Sequence, residues 1–262
     1  MRRLALAIAI VLTATAPPAM AQIAADDLPV PGEPPTRPAP SAGDADTGTG
    51  EAEAAEDDLA DEDVPPLPVI APVKGCQARL DRLRVDYERT DGVDGEGGCG
   101  FAPAYEITAI GDVELQPGGI AMRCETALAL ALWIRQGVIP ATRGLSREAR
   151  ATGDGQGVTL AGIRHSQAYA CRRRNNRPTG KLSHHAIGAA VDVTGFTFNG
   201  RPPIAIAPRA GDGDIEEAFQ RAVRASACLS FSTVLGPGSD AYHDDHLHLD
   251  IAGRASRYRL CQ

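Results

Sequence analysis

No aromatic residue falls between positions 22 and 72. The same stretch holds one basic residue, Arg37, against 13 acidic ones, and 10 of the chain's 20 prolines. So little apolar surface cannot offset the entropy of ordering, which excludes a packed core there. Residues 22–72 read as a disordered, acidic, Pro-rich linker. It is either a solvated spacer or a stalk reaching toward an envelope partner. Long apolar runs are also missing. The run at positions 4–12 is too short for a membrane span, so no integral span is expected after signal cleavage. No Cys-x-x-Cys pair occurs, which disfavours a thiolate zinc site. Internal repeats are absent. Excess charge is missing from the remainder: of the net −8, residues 1–21 contribute +2, residues 22–72 contribute −12, and residues 73–262 only +2. Bulk charge therefore implies neither nucleic acid nor an acidic partner.

What is present begins with export. Arg2 and Arg3 precede the apolar run, and Ala19-Met20-Ala21 fits the small-x-small cleavage rule, so residues 1–21 read as a signal peptide. The paired arginines lack the rest of a twin-arginine motif. No Cys comes directly after the cleavage site, which argues against a lipoprotein anchor. The expected location is the periplasm or the extracellular space. All six cysteines lie in residues 73–262, a length suited to one domain. An even count in an exported chain predicts three disulfides. The expected pairs are Cys76–Cys99, Cys124–Cys171 and Cys228–Cys261, among 15 possible pairings.

Within that domain, residues 75–91 predict a short helix and residues 92–100 a Gly-rich surface loop. Residues 101–113 predict an extended segment. Residues 122–137 give the strongest helix, with Ala127, Leu128, Leu130, Ala131 and Ile134 on one face, Trp133 in the core and Gly137 as its end. Residues 144–154 predict a loop. Strand material is expected at 158–172, 189–198, 203–207, 230–235 and 246–251, with a basic turn at 173–180 and a hairpin turn at Asn199-Gly200. A second helix is predicted over 214–227. The expected class is α+β, with N-terminal helices and a mostly antiparallel sheet.

Two runs carry the chemistry. Asp245-His246-Leu247-His248-Leu249-Asp250-Ile251 alternates polar and apolar residues without a break. On a strand this puts His246, His248 and Asp250 on one face and the apolar residues toward the core. Ala190-Val191-Asp192-Val193 alternates likewise. Two neighbouring strands can thus aim imidazoles and a carboxylate at one point. A buried hydrogen-bonded network is the plain alternative to a metal site.

The pattern Ser183-x-His185-x-x-Gly188-x-Ala190-x-Asp192, with His246-x-His248 downstream, resembles the zinc D-alanyl-D-alanine peptidases and their hedgehog-type relatives. More closely, residues 76–261 resemble the bacterial extensin-like C-terminal domain family, through Tyr169-Ala170-Cys171-Arg172, Leu182-Ser183-His184-His185-Ala186-Ile187-Gly188, Val234-Leu235-Gly236-Pro237-Gly238 and His246-Leu247-His248-Leu249-Asp250. The resemblance implies a hedgehog/DD-peptidase-like fold. It implies Zn2+ held by His185, Asp192 and His248, with an open position for water. Such a metal lowers the pKa of water toward ~7 and polarises a carbonyl. The family's base position, three residues before the last His ligand, is Asp245 here, one methylene shorter than Glu. His246 can serve instead. Arg172 matches the family's substrate-binding Arg, and a solvated residue of the Arg172–Arg174 run is its bland reading. Ser183 is a substrate-contact candidate or a turn cap. Gly188 and Ala190 are read as clearing space. His165, His184 and His243 have no role beyond surface or structure. The implied function is hydrolysis of peptidoglycan stem-peptide or cross-link amides involving D-amino acids, with muropeptides as partners. The alternatives are a non-catalytic wall- or metal-binding module and a structural envelope protein whose acidic tail does the interacting.

Overall fold

The computed structural model describes residues 70–153, 157–209, 211, 213–254 and 258–262. The signal peptide and nearly all of the acidic linker lie outside them. The chain runs through α1 (Cys76–Arg82), β1 (Val85–Thr90), β2 (Val93–Asp94), β3 (Gly100–Phe101), β4 (Ala104–Ile110), β5 (Val113–Gln116), β6 (Ile120–Met122), α2 (Cys124–Trp133) and α3 (Ile139–Ala151). It continues with β7 (Thr159–Gln167), β8 (Ala190–Asn199), β9 (Ile204–Ala205), α4 (Ile215–Ala227), β10 (Thr233–Leu235), β11 (Leu247–Asp250) and β12 (Leu260–Cys261). The large sheet has the order β1-β4-β5-β7-β8-β11-β10-β12, with β6 beside β4 and β9 beside β8. Pairing is antiparallel except at β5/β7 and β10/β12. The α+β class and the mostly antiparallel sheet are as expected. The order of elements is not: β1–β6 come before the long helical segment.

Trp133 is the hub of the core. Its indole N–H donates to the Val223 carbonyl of α4 at 2.8 Å. Its ring meets Phe196 and Phe231 edge-on, at 6.1 and 6.3 Å. Asp214 caps α4 by accepting from the Glu217 N–H at 2.6 Å. The Asn199-Gly200 turn and the short β9 strand appear where expected, with Phe196 opposite Ile204.

The helix does not end at Gly137. A single π turn, Ile134–Val138, carries it into α3, so residues 144–151 are helical rather than a loop. Gly137 has a packing role instead: a Cβ there would collide with the Ser226 side chain of α4. Pro140 follows directly on the π turn, at the second position of α3.

Two expected disulfides are also corrected. The pairs are Cys76–Cys124, Cys99–Cys171 and Cys228–Cys261, of which only the last was anticipated. Cys76 and Cys124 open α1 and α2, and the Val73 N–H just before α1 donates to Glu125 Oε1 of α2 at 3.1 Å. The 92–100 segment lies instead against the chain leaving β7, where the Phe101 and Tyr169 rings sit 5.9 Å apart. Nearness in sequence misleads because β1 carries the chain away from Cys76 before it reaches Cys99. Three such bridges fit a compartment more oxidising than the cytoplasm. No helix among the described residues is long and apolar enough to cross a membrane.

Candidate metal centre

A bulge in the central strand pair sets up the site. Arg164 faces Gly195 and His165 faces Val193, so Thr194 is an extra residue on β8. An extra residue reverses the facing of the residues beyond it. Phe196 can therefore enter the helix-side core while Val191 and Val193 also bury, and Asp192 is left on the other side. β11 pairs with β8 in the register that sets His248 opposite Asp192. Leu247 and Leu249 are fully buried, as the alternation predicted.

His185 arrives on a short 3-10 turn, His184–Ile187. Ser183 caps that turn by accepting from the His185 N–H at 3.3 Å, which favours its capping role. Gly188 ends the turn at φ 65°, and a Cβ there would lie 2.6 Å from the Phe101 ring. It clears space for Phe101 rather than for the ligands themselves. Gly188→Ala combines left-handed strain with overpacking, and about 2–5 kcal/mol of lost stability is expected, read as a lower denaturation midpoint.

The three predicted ligands converge. His185 Nε2 lies 3.1 Å from Asp192 Oδ1, His248 Nδ1 lies 3.0 Å from the same oxygen, and the two nitrogens are 3.1 Å apart. The tautomer of His185 is set by its other nitrogen. Nδ1 sits 2.9 Å from the Ala168 carbonyl, which only accepts, so Nδ1 carries the proton and Nε2 offers a lone pair. Around His248, Asp250 Oδ2 stands 3.4 Å from Nε2. Asp250 thus occupies the place of the outer carboxylate that orients a metal-binding imidazole.

His184 forms a second group of potential ligand atoms with His248 and Asp250. It is already committed, however. Arg174 Nη2 lies 2.9 Å from His184 Nε2, and a guanidinium can only donate, so that nitrogen accepts. The His184 Nδ1–H then donates to Asp250 Oδ2 at 2.7 Å. With both nitrogens engaged, His184 buttresses Asp250, and the His185–Asp192–His248 group is the better cradle for a cation.

Electrostatics agree. Burial pushes the Asp192 carboxyl up, but the hydrogen bond from His248 Nδ1–H and the His185 imidazole beside it outweigh burial and hold the group well below the usual range. Asp250 is depressed likewise: burial raises it, and His184 and His248 more than reverse this. Burial works against the His248 cation, yet Asp192 and Asp250 raise its pKa to about 9. A proton on His248 Nδ1 therefore sits among the lone pairs that would bind a metal. Two imidazole nitrogens and one ionised carboxylate oxygen, held close together by the fold, fit a zinc-type donor set.

The cluster opens into a polar cavity of about 320 Å³. Arg172, Arg174 and Arg254 line it, together with His243 and His246. Arg172 donates to Gln167 Oε1 at 3.4 Å. His246 Nε2 stands 3.7 Å from Asp192 Oδ1, and its Nδ1 is 2.8 Å from Asp245 Oδ1. Asp245 is not brought into the cavity; its side chain is 90% exposed and touches the site only through His246. His243 pairs through Nδ1 with Asp240 at 2.7 Å, and its ring lies 5.2 Å from that of His246. Burial is the main cause of a lowered His243 pKa. Sequence reasoning gave no role to His184 or His243. A signal existed for the second: Asp240-x-x-His243 precedes Asp245-His246, an Asp/His pairing made twice in seven residues. His165 lies apart, with Nε2 3.1 Å from the Gly118 carbonyl.

A family model described as Extensin-like protein C-terminus matches residues 74–262. No curated protein and no solved structure matches the chain.

Proposed function

The chain belongs to the extensin-like protein C-terminus family, and we propose that it is an exported zinc-dependent peptidase acting on peptidoglycan. Its substrates are stem-peptide or cross-link amides involving D-amino acids, and it works in the periplasm or outside the cell. The observation that carries this reading is the His185–Asp192–His248 convergence inside a cavity that also presents an Asp-paired imidazole. The residues present fit the metal, and His185 Nε2, His248 Nδ1 and the Asp192 carboxylate would hold it. Bound zinc supplies Lewis acidity and eases deprotonation of water near neutral pH.

The protein's own groups supply the rest. Asp245 accepts from His246 Nδ1–H, which leaves Nε2 free to take a proton and return it to a leaving amine. Asp245 is then the orienting residue and His246 the base. Arg172, Arg174 and Arg254 give the cavity a positive wall suited to the carboxylates of a stem peptide. Asp250 and His184 hold His248 in place.

The exposure of Asp245 favours a second reading, a wall- or metal-binding module without turnover. The two separate on one comparison. In the oxidised chain, zinc content and release of products from muropeptides are measured for wild type, His185→Ala and His246→Ala. The peptidase reading expects about 100-fold or greater loss of turnover in His246→Ala with zinc retained, and loss of both in His185→Ala. Stoichiometric zinc with no product from wild type would support the binding module instead. Failure to take up zinc at all would overturn the peptidase and the metal-binding form of the module, leaving wall binding alone.

A further inference from the structure

A second cavity, about 920 Å³, lies between α3 and the end of the sheet where β4 turns into β5, β7 begins and β8 finishes. Five arginines line it: Arg84, Arg135, Arg143, Arg147 and Arg150. Asp112 is the one acidic residue on its wall among the described residues. A groove with four excess positive charges stands out in a domain whose own net charge is +2.

The charge is arranged, not scattered. Arg143, Arg147 and Arg150 are spaced by four and three residues, so they share one face of α3. Like charges at that spacing weaken a helix, and stability alone does not explain them. None of the three has a carboxylate partner among the described residues. Arg84 closes the far side, with Nη2 3.2 Å from Asp112 Oδ1. Its backbone is left-handed, φ 57°, at a position where glycine would sit freely. Strain of this kind persists where the side chain has a use.

We infer that this groove binds a phosphate-bearing polysaccharide. Successive arginines on α3 rise by roughly 4.5–6 Å, a spacing that suits charges recurring along an extended chain. Arginine forks match phosphate oxygens, and one phosphate can accept from more than one of them. The groove has no aromatic residue on which bases could stack, which disfavours a single-stranded nucleic acid. It is concave and carries no exposed large apolar side chain, which disfavours a bilayer surface.

The groove is independent of the metal centre. Thr159 pairs with Asn199 at the groove end of β7 and β8, and Gln167 pairs with Asp192 at the other. About seven residues of strand separate the ends, roughly 23 Å. A polymer held here anchors the protein without entering the polar cavity.

The test is equilibrium binding of the full oxidised chain to phosphomannan, dephosphorylated mannan, polygalacturonate and anionic phospholipid vesicles, at low and high salt. Phosphomannan is expected to bind best, and its binding to weaken with salt. Arg143→Glu with Arg147→Glu should reduce that affinity about 10- to 100-fold, and the paired Lys variants should restore most of it. The Glu variant is expected to unfold in one cooperative thermal transition like wild type, which shows that it folds. Equal binding of dephosphorylated mannan or polygalacturonate would overturn the phosphate assignment. Tighter binding to vesicles would make the partner a membrane and overturn the polysaccharide. Unchanged affinity in the Glu variant, or no phosphomannan binding, would remove the groove as the site.

Discussion

Asp192→Asn is expected to strip the protein of zinc and to lower its metal-free stability. The substitution keeps shape and removes only charge. Asp192 is buried and meets two imidazoles at 3.0 and 3.1 Å. Changing an outer partner of a metal ligand commonly costs 10–100-fold in affinity, so loss of a ligand carboxylate should exceed about 100-fold. Without metal, the His248 cation loses one of its two carboxylates. Breaking a buried pair costs about 3–5 kcal/mol. Asp250 still faces His248, and the ring can shed its proton, so about 2–3 kcal/mol is expected. Zinc titration reads the first effect, and denaturant unfolding in chelator reads the second. Asp245→Asn is the contrast: its exposed carboxylate touches none of the three ligands, so zinc should stay and only turnover should fall. A zinc affinity in Asp192→Asn within a few-fold of wild type would sink the ligand assignment.

The convergence of these side chains was largely legible in the sequence, for a physical reason. Strand alternation is strict, so His246-Leu247-His248-Leu249 decided which residues bury before any pairing was known. The small residues between His185 and Asp192 signalled a tight approach, and Gly188 indeed abuts Phe101. The hidden parts depend on partners far away in sequence. His184 acquires its role only through Arg174 and Asp250, which no local pattern joins. The bulge at Thr194 that frees Asp192 from the core side leaves no mark in composition. Gly137 suggested the end of a helix, and the weak pattern of residues 144–154 a loop, where tertiary packing carries the helix through to Ala151. Disulfide connectivity is likewise a property of the folded layers, and sequence alone cannot supply it. The helix-breaking error and the two pairing errors do not touch β8 or β11, the strands that build the site, which is why the meeting of His185, Asp192 and His248 survived them.

Metal-free and zinc-loaded protein should respond to pH with opposite signs. His248 carries a pKa raised to about 9, from an ordinary 6.5. The stabilisation from its cation is therefore fully present below pH 6.5 and is lost as pH rises through about 9. A shift of that size corresponds to on the order of 3 kcal/mol, little discounted because the ring is mostly buried. The depressed Asp192 carboxyl reports the same contacts from their other end and adds nothing further. Chelated protein should thus lose stability between about pH 7 and 10. Zinc must displace the His248 Nδ1 proton, so its affinity should rise about tenfold per pH unit from roughly 6 to 8. Thermal unfolding across that range, with and without zinc, should give curves that diverge as pH increases. Parallel curves would mean that His248 binds no metal, because a cation on either nitrogen of its imidazolium must displace a proton.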